Sequence, residues 1–139
     1  MSRQAASVTS RILAASGAVV LAGGAAAVAY FDPVKSNFLP VCPLFSMTGF
    51  ACPGCGLTRG FHSLFTGDII SAIDFNAMIP FWVVIFSWLF ISLALTAIRG
   101  KGLHLWMARP GFLVAFTVIL LGFGVLRNLP MWPLTILFP

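Results

Sequence analysis

The chain has 139 residues, of which 60% are hydrophobic and only 8% are charged. Soluble domains carry about 25% charged residues, so this composition excludes a domain surrounded by water and indicates a single integral membrane domain, residues 1–139. The net charge of +5 comes from Lys and Arg placed singly at the ends of apolar runs. That placement is typical of membrane orientation signals and not of a nucleic-acid-binding face.

The first apolar run, residues 12–31, contains no charged residue and is long enough to cross about 30 Å of hydrocarbon. A basic flank before an apolar core is also typical of a cleaved signal peptide. This run is long for a signal core, however, and it ends in Tyr30 and Phe31, aromatic residues of the kind that sit at a membrane interface. We therefore predict a first transmembrane helix that is retained.

The segment 32–76 holds all three cysteines and is predicted to lie outside the membrane, between the first and second spans. Residues 57–66 show an apolar stripe and a polar stripe at helical spacing, which predicts a short amphipathic helix in the interface plane. Gly67 is placed to end this helix and Asp68 to cap a second short one. Residues 38–50 are apolar but interrupted by prolines, so we expect an irregular or one-turn segment there.

Two further apolar runs follow the cysteine segment. Residues 77–98 form the predicted second span, with Asp74 or Asn76 as its cap. Residues 110–126 form the third, near the lower length limit for a span. The tail, residues 127–139, contains three prolines and is predicted to lie along the interface. The fold class is thus an all-α membrane protein with three transmembrane helices and short interfacial helices between the first and second.

The distribution of basic residues predicts how the protein is oriented. One side carries five of them: Arg3, Arg11, Arg99, Lys101 and Arg109. The other side carries three: Lys35, Arg59 and Arg127. The positive-inside rule then places the amino terminus in the cytoplasm and the cysteine segment on the periplasmic or exoplasmic face of the cell membrane. That compartment is oxidising, which bears on the chemistry of the cysteines.

Three interpretations compete for Cys42, Cys52 and Cys55. A Cys-x-x-Cys pair at the start of a helix has the form of a thiol redox site, with Cys42 as a third, resolving thiol. The string Cys-Pro-Gly-Cys-Gly is also similar to half of a zinc knuckle, which Cys42 and His62 would complete as a Cys₃His set for zinc or another thiophilic metal. The third interpretation is a structural disulfide with one thiol left over.

A shared metal site and a resolving thiol both require Cys42 to lie near the other two cysteines, and a ten-residue connection closes at small entropic cost. We predict the Cys42 sulfur within bonding or shared-ligand range of Cys52 or Cys55, with Arg59 facing the same pocket. An interfacial Arg that meets lipid phosphate is the alternative for Arg59. We also predict that Asp68 pairs with Arg59 or Arg127, because a charged residue at a membrane boundary usually has a partner.

Several of these residues carry a resemblance to a known family. Cys42-Pro43-Leu44-Phe45, the string from Cys52 to Arg59, Gly67-Asp68, Asn76 and the tail from Arg127 onward resemble a bacterial membrane-protein family known only as domain of unknown function 2752. The resemblance implies these signature positions: Cys42, Cys52, Cys55, Thr58, Arg59, Gly67, Asp68, Asn76, Arg127 and Asn128. His62 is outside that signature, which weakens the Cys₃His set. The family implies no activity.

The sequence favours a non-enzymatic accessory or assembly subunit of a membrane complex, because it holds no catalytic carboxylate, Ser–His or nucleotide-binding pattern. Its predicted partners are the lipid bilayer and another membrane protein, and not a nucleic acid. The alternatives are a membrane thiol-disulfide oxidoreductase that uses Cys52, Cys55 and Cys42, and a protein that binds or delivers a metal through the same cysteines.

Overall fold

The computed structural model describes residues 7–33, 42–104 and 106–130. Within these residues all regular structure is helical, which confirms the all-α fold class. In chain order the elements are α1 (Val8–Tyr30), α2 (Pro43–Thr48), α3 (Leu57–Phe65), α4 (Ile69–Phe75), α5 (Ile79–Arg99), one 3₁₀ turn (Trp106–Ala108) and α6 (Pro110–Leu126). The short helices α2, α3 and α4 fall where the sequence predicts them. The predictions for the tail beyond residue 130 and for residues 38–41 lie outside the described residues.

Two helices are long and apolar enough to cross a membrane, α1 with 23 residues and α5 with 21. The third predicted span coincides with α6 in its bounds, but α6 has 17 residues and is a shorter apolar helix. The architecture is therefore a pair of long apolar helices joined by a segment of short helices, with a shorter apolar helix packed alongside.

The two long helices run antiparallel, because the start of α1 lies against the end of α5. The Arg11 side chain donates from Nε to the Ala97 carbonyl (3.0 Å) and from Nη2 to the Ile98 carbonyl (2.9 Å). A helix end exposes unpaired carbonyls and the negative pole of the helix dipole, so a cation is favoured there. Midway along α1, a Cβ added at Gly17 would lie 3.3 Å from a Leu93 methyl, so the Leu93 side chain of α5 packs directly on the α1 backbone there.

The chain after α5 folds back along that helix before α6 begins. The Trp88 indole donates to the carbonyl of His104 (3.2 Å), and the Ser92 hydroxyl donates to that of Leu103 (3.5 Å). The Trp106 ring then meets the Trp88 ring edge-on, with 6.3 Å between centroids. Because this return covers part of α5, α6 begins part-way along the bundle and reaches the cysteine segment with only 17 residues.

The helices α3 and α4 pack against each other and against the start of α5, with Gly60 at the point of closest approach. A Cβ added at Gly60 would lie 2.8 Å from Ile79 Cδ1 and 2.9 Å from the Ala72 carbonyl oxygen. The backbone turns at Gly67, whose φ of 90° suits glycine. Asp68 then caps α4 by accepting the Ser71 N–H (3.0 Å), as the sequence predicts. The platform that carries the cysteine segment is thus tightly packed.

Substituting Gly60→Ala is expected to lower the free energy of unfolding by about 1–3 kcal/mol. The added methyl would meet a backbone carbonyl, which cannot turn aside as a side chain can. Thermal unfolding of the detergent-solubilised protein measures the effect. The matched control is Gly24→Ala in α1, where an added Cβ meets nothing within 4 Å and alanine favours the helix. Equal unfolding temperatures for the two variants would contradict the close packing at Gly60.

Candidate functional site

The three cysteines converge at the end of the bundle where α3 begins and α6 ends. The Cys52 sulfur lies 3.3 Å from the Cys42 sulfur and 3.2 Å from the Cys55 sulfur. All three sulfurs lie within 4.8 Å of one another, and all three are free thiols. The prediction that Cys42 joins the Cys-x-x-Cys pair is therefore confirmed in its geometry.

A tight backbone turn positions the Cys52–Cys55 pair. The Cys55 N–H donates to the Cys52 carbonyl (2.9 Å), and the Cys52 N–H donates to the Cys55 sulfur (3.1 Å). Gly56 follows with a φ of 79°, a left-handed conformation that favours glycine and lets α3 begin directly after the second cysteine. Cys42 is the N-cap residue of α2, which begins at Pro43. The string Cys-Pro-Gly-Cys-Gly therefore folds as one turn with its sulfurs on one side.

Asn76 holds this turn from the far end of α4. Its Nδ2 donates to the carbonyls of Pro53 (3.0 Å) and Cys55 (3.1 Å), and its Oδ1 accepts the Met78 N–H (2.9 Å). The side chain is only 1% exposed. Buried carbonyls need such partners, so Asn76 fixes the backbone between the two cysteines and joins it to the start of α5. It ends α4 and does not cap α5, whose N-cap is Met78.

Asn128 holds the residue just before the cysteine turn. Its Oδ1 accepts the Ala51 N–H (2.8 Å), and its Nδ2 donates to the Ala51 carbonyl (2.8 Å) and to the Gly124 carbonyl (2.7 Å). A Cβ added at Gly124 would lie 2.9 Å from Pro53 Cγ, so α6 itself lies directly against the turn. Asn128 thus joins the end of α6 to the chain segment that leads into Cys52.

Arg127 lies beneath the cysteine turn and is 1% exposed. Its Nη1 donates to the carbonyls of Cys52 (3.0 Å) and Cys55 (3.1 Å), and its guanidinium lies 5.1 Å from the Phe123 ring centroid. Its Nε and Nη2 are buried without a hydrogen-bond partner. In arginine, these two nitrogens form the edge of the guanidinium that can donate two parallel hydrogen bonds to one anion. A buried cation with unused donors therefore lies against the backbone of the cysteine turn.

The thiols differ in their acidity. The backbone N–H groups at the start of α2, that of Phe45 foremost, and the Cys52 thiol lower the pKa of Cys42 to about 7. Burial, reinforced by hydrogen bonds with the Cys52 and Cys42 thiols, raises the pKa of Cys55 to about 12. Burial also lowers the pKa of Arg127, while negative charge on Cys55 and Cys52 opposes that shift. At neutral pH negative charge in the metal-free cluster therefore resides first on Cys42.

His62 does not join the cysteines, so the predicted Cys₃His set is not formed. Its Nδ1 lies 2.8 Å from the Val28 carbonyl oxygen, which ties α3 to the end of α1. The helix α3 turns this side chain toward α1 and away from the three sulfurs. Thr58 lines an apolar cavity of about 560 Å³ between α1, α3 and α5. Arg59 is exposed, and within the described residues the cation placed under the cluster is Arg127.

The predicted pairing of Asp68 with Arg59 or Arg127 is also not formed. Asp68 accepts from the Ser71 N–H and from the Ser71 hydroxyl (2.6 Å), and these bonds lower the pKa of its carboxyl group. Both Asp68 and Arg59 are exposed, where solvent satisfies the charges without an ion pair. The cysteine turn is instead fixed to the bundle by side-chain hydrogen bonds to its backbone from Asn76, Arg127 and Asn128.

Comparison with known proteins bears on this same segment. No curated protein and no solved structure matches the chain. Residues 42–90 match the model of a family described as "Protein of unknown function (DUF2752)". The match contains all three cysteines and Asn76, while Arg127 and Asn128 lie beyond it. The resemblance expected from the cysteine-bearing string is therefore confirmed, and it is to the DUF2752 family over residues 42–90.

Proposed function

We propose that the protein is a non-enzymatic membrane protein that holds one thiophilic metal ion of the zinc class on Cys42, Cys52 and Cys55. The observation that carries this proposal is the convergence of all three sulfurs within 4.8 Å. Zinc–sulfur bonds of about 2.3 Å place tetrahedral sulfurs about 3.8 Å apart. The two shorter distances, 3.2 and 3.3 Å, reach that spacing with small side-chain shifts.

The charge of Arg127 supports a metal–thiolate cluster over three neutral thiols. A buried arginine is costly unless a counter-charge lies near it. The chain has only three acidic residues, and Arg127 forms no ion pair with any residue in the described ranges. Asp68 and Asp74 are exposed. Three thiolates around a divalent ion leave one net negative charge, which the guanidinium balances.

In this proposal α1, α5 and α6 lie in the bacterial inner membrane, with the amino terminus in the cytoplasm and the cysteine cluster on the periplasmic face. Supporting it, Arg11 and the return of residues 100–104 lie at the end of the bundle opposite the cluster. The role of accessory or assembly subunit for another membrane protein also stays a proposal. It is supported by Gly23 and Gly24 of α1, which face open space and permit close approach of a further helix.

One observation favours a second candidate, a thiol-disulfide oxidoreductase. The Cys52 sulfur lies within 3.3 Å of both other sulfurs, and a thiol whose pKa is about 7, as for Cys42, is well suited to attack a disulfide at neutral pH. In that function the cluster would cycle between a dithiol and a disulfide in which Cys52 is the shared partner. The two candidates differ in what the purified protein contains.

Metal analysis of the full-length protein, purified under reducing conditions and supplied with Zn²⁺, is expected to give one ion per chain. Cys42→Ser, Cys52→Ser and Cys55→Ser should each lower retention by about tenfold or more, because each removes one of three protein ligands. The control is Ser46→Ala in α2, whose hydroxyl donates to the Pro43 carbonyl of the same helix. Protein that retains no Zn²⁺ and instead contains a Cys52 disulfide would overturn the metal proposal in favour of the oxidoreductase.

A further inference from the structure

Within the described residues, neither histidine lies close enough to the three cysteines to complete a four-coordinate thiophilic site. The chain contains three cysteines, all in the cluster, and two histidines. His62 lies on the Val28 carbonyl of α1. His104 lies in the return after α5, where its carbonyl accepts from Trp88 and its Nε2 lies 3.4 Å from Arg109 Nη2. Both imidazoles are thus placed away from the three sulfurs.

Carboxylates do not supply the fourth ligand either. Among the described residues, the group of potential ligand side chains at this site comprises the three cysteines alone. Zinc sites with four protein ligands are structural, whereas sites with three protein ligands keep a position for water or another exchangeable ligand. Cys55 is buried while Cys42 and Cys52 are half-buried, so the cluster is closed on the Cys55 side and open on the side of the other two.

We infer, on the basis of the proposed metal site, that its fourth position is open and takes a neutral nitrogen donor of the imidazole type from outside the chain, with water there otherwise. The argument is one of charge. Three thiolates, one divalent ion and Arg127 sum to zero, and a neutral fourth ligand keeps that sum. An added thiolate or carboxylate would leave net negative charge beside a membrane interior, where a net charge is expensive.

This inference defines the kind of partner that the site fits. A histidine on another protein would replace the water by donating its nitrogen lone pair, with no change of charge or oxidation state. The metal would then be shared between the two proteins at the membrane face. Arg127 contributes by fixing the charge of the cluster through its contacts with the Cys52 and Cys55 carbonyls.

The test uses the full-length protein loaded with Co²⁺, whose visible d–d bands report the ligands of a tetrahedral site. Added imidazole is expected to shift these bands and to saturate at one imidazole per Co²⁺. The small thiol 2-mercaptoethanol and acetate should bind at least about tenfold more weakly, a difference of about 1.4 kcal/mol. Equal or tighter binding of the thiol or of acetate would overturn the inference, as would bands that imidazole leaves unchanged.

Two variants guard against ligation by the chain itself. His62→Gln and His104→Gln should both show the starting bands and the imidazole titration of the unmodified protein. A starting spectrum that changes in either variant would identify that histidine as the fourth ligand and overturn the inference, while leaving the metal site intact. Failure to retain Co²⁺ or Zn²⁺ at all is a different outcome, because it removes the proposed function on which this inference depends.

Discussion

Substituting Arg127→Gln is expected to weaken Zn²⁺ binding by about 10- to 100-fold. Glutamine retains a donor for the Cys52 and Cys55 carbonyls, to which Nη1 now donates, but it removes the positive charge. At an effective dielectric constant of about 20, a close opposite charge contributes a few kcal/mol, and each 1.4 kcal/mol is about tenfold in affinity. Competition with a chelator of known affinity measures the loss.

The same substitution distinguishes an anionic cluster from a neutral one. In metal-loaded protein Arg127→Gln should lower the unfolding temperature, because it leaves the negative charge of the metal–thiolate cluster without a counter-charge. In metal-stripped protein at a pH below the pKa of Cys42, the cluster is neutral, and loss of a buried unpaired cation should leave stability unchanged or raise it. The matched control is Arg59→Gln, an exposed arginine whose removal should matter by less than about 0.5 kcal/mol. Equal effects of Arg127→Gln in both states would contradict a counter-charge role.

The sequence predicts the helices well because their signals are local. The apolar run of α6 gave its bounds, and Gly67 with Asp68 marked the junction of α3 and α4, where a positive φ and an N-cap require those residue types. The course of the chain between α5 and α6 was not predictable in the same way. The return of residues 100–104 along α5 depends on Gly102, where an added Cβ would lie 2.9 Å from the Ser92 hydroxyl oxygen, and no sequence periodicity reports such a contact.

The sequence predicts that the three cysteines lie close together, but not which other residues contact them. A short, bent connection between Cys42 and Cys52 favours their contact, and Cys42 lies beside Cys52 as expected. The charged partners were assigned by closeness in sequence, which favoured Arg59. The structure uses Arg127, which lies 75 residues from Cys52 along the chain. The sequence signal for this role is a charged residue followed by an asparagine at the end of an apolar helix. Two such polar side chains can be buried there only if they bond to backbone groups.

In metal-free, reduced protein at neutral pH, Cys42 is expected to react with iodoacetamide on the order of 100-fold faster than Cys55. The pKa of Cys42 is about 7 and that of Cys55 about 12, which gives a difference of about 10⁵ in thiolate fraction. The Cys55 thiolate is the more basic of the two and therefore intrinsically the more nucleophilic. This offsets about half of the difference in reaction rate on a logarithmic scale. Burial of Cys55 slows its reaction further.

The pH dependence follows from the same two pKa values. The Cys42 rate should rise about tenfold per pH unit below about pH 7 and level off above it, because only the thiolate reacts. The Cys55 rate should still be rising at the highest pH at which the protein stays folded. Peptide mapping by mass spectrometry over a time course measures both rates in one sample, and denatured protein, in which the environments are lost, should give similar rates for the two thiols. Comparable rates for the two thiols in the folded protein would show that α2 does not activate Cys42. Bound Zn²⁺ should protect both thiols, because a coordinated thiolate is no longer free to attack the reagent.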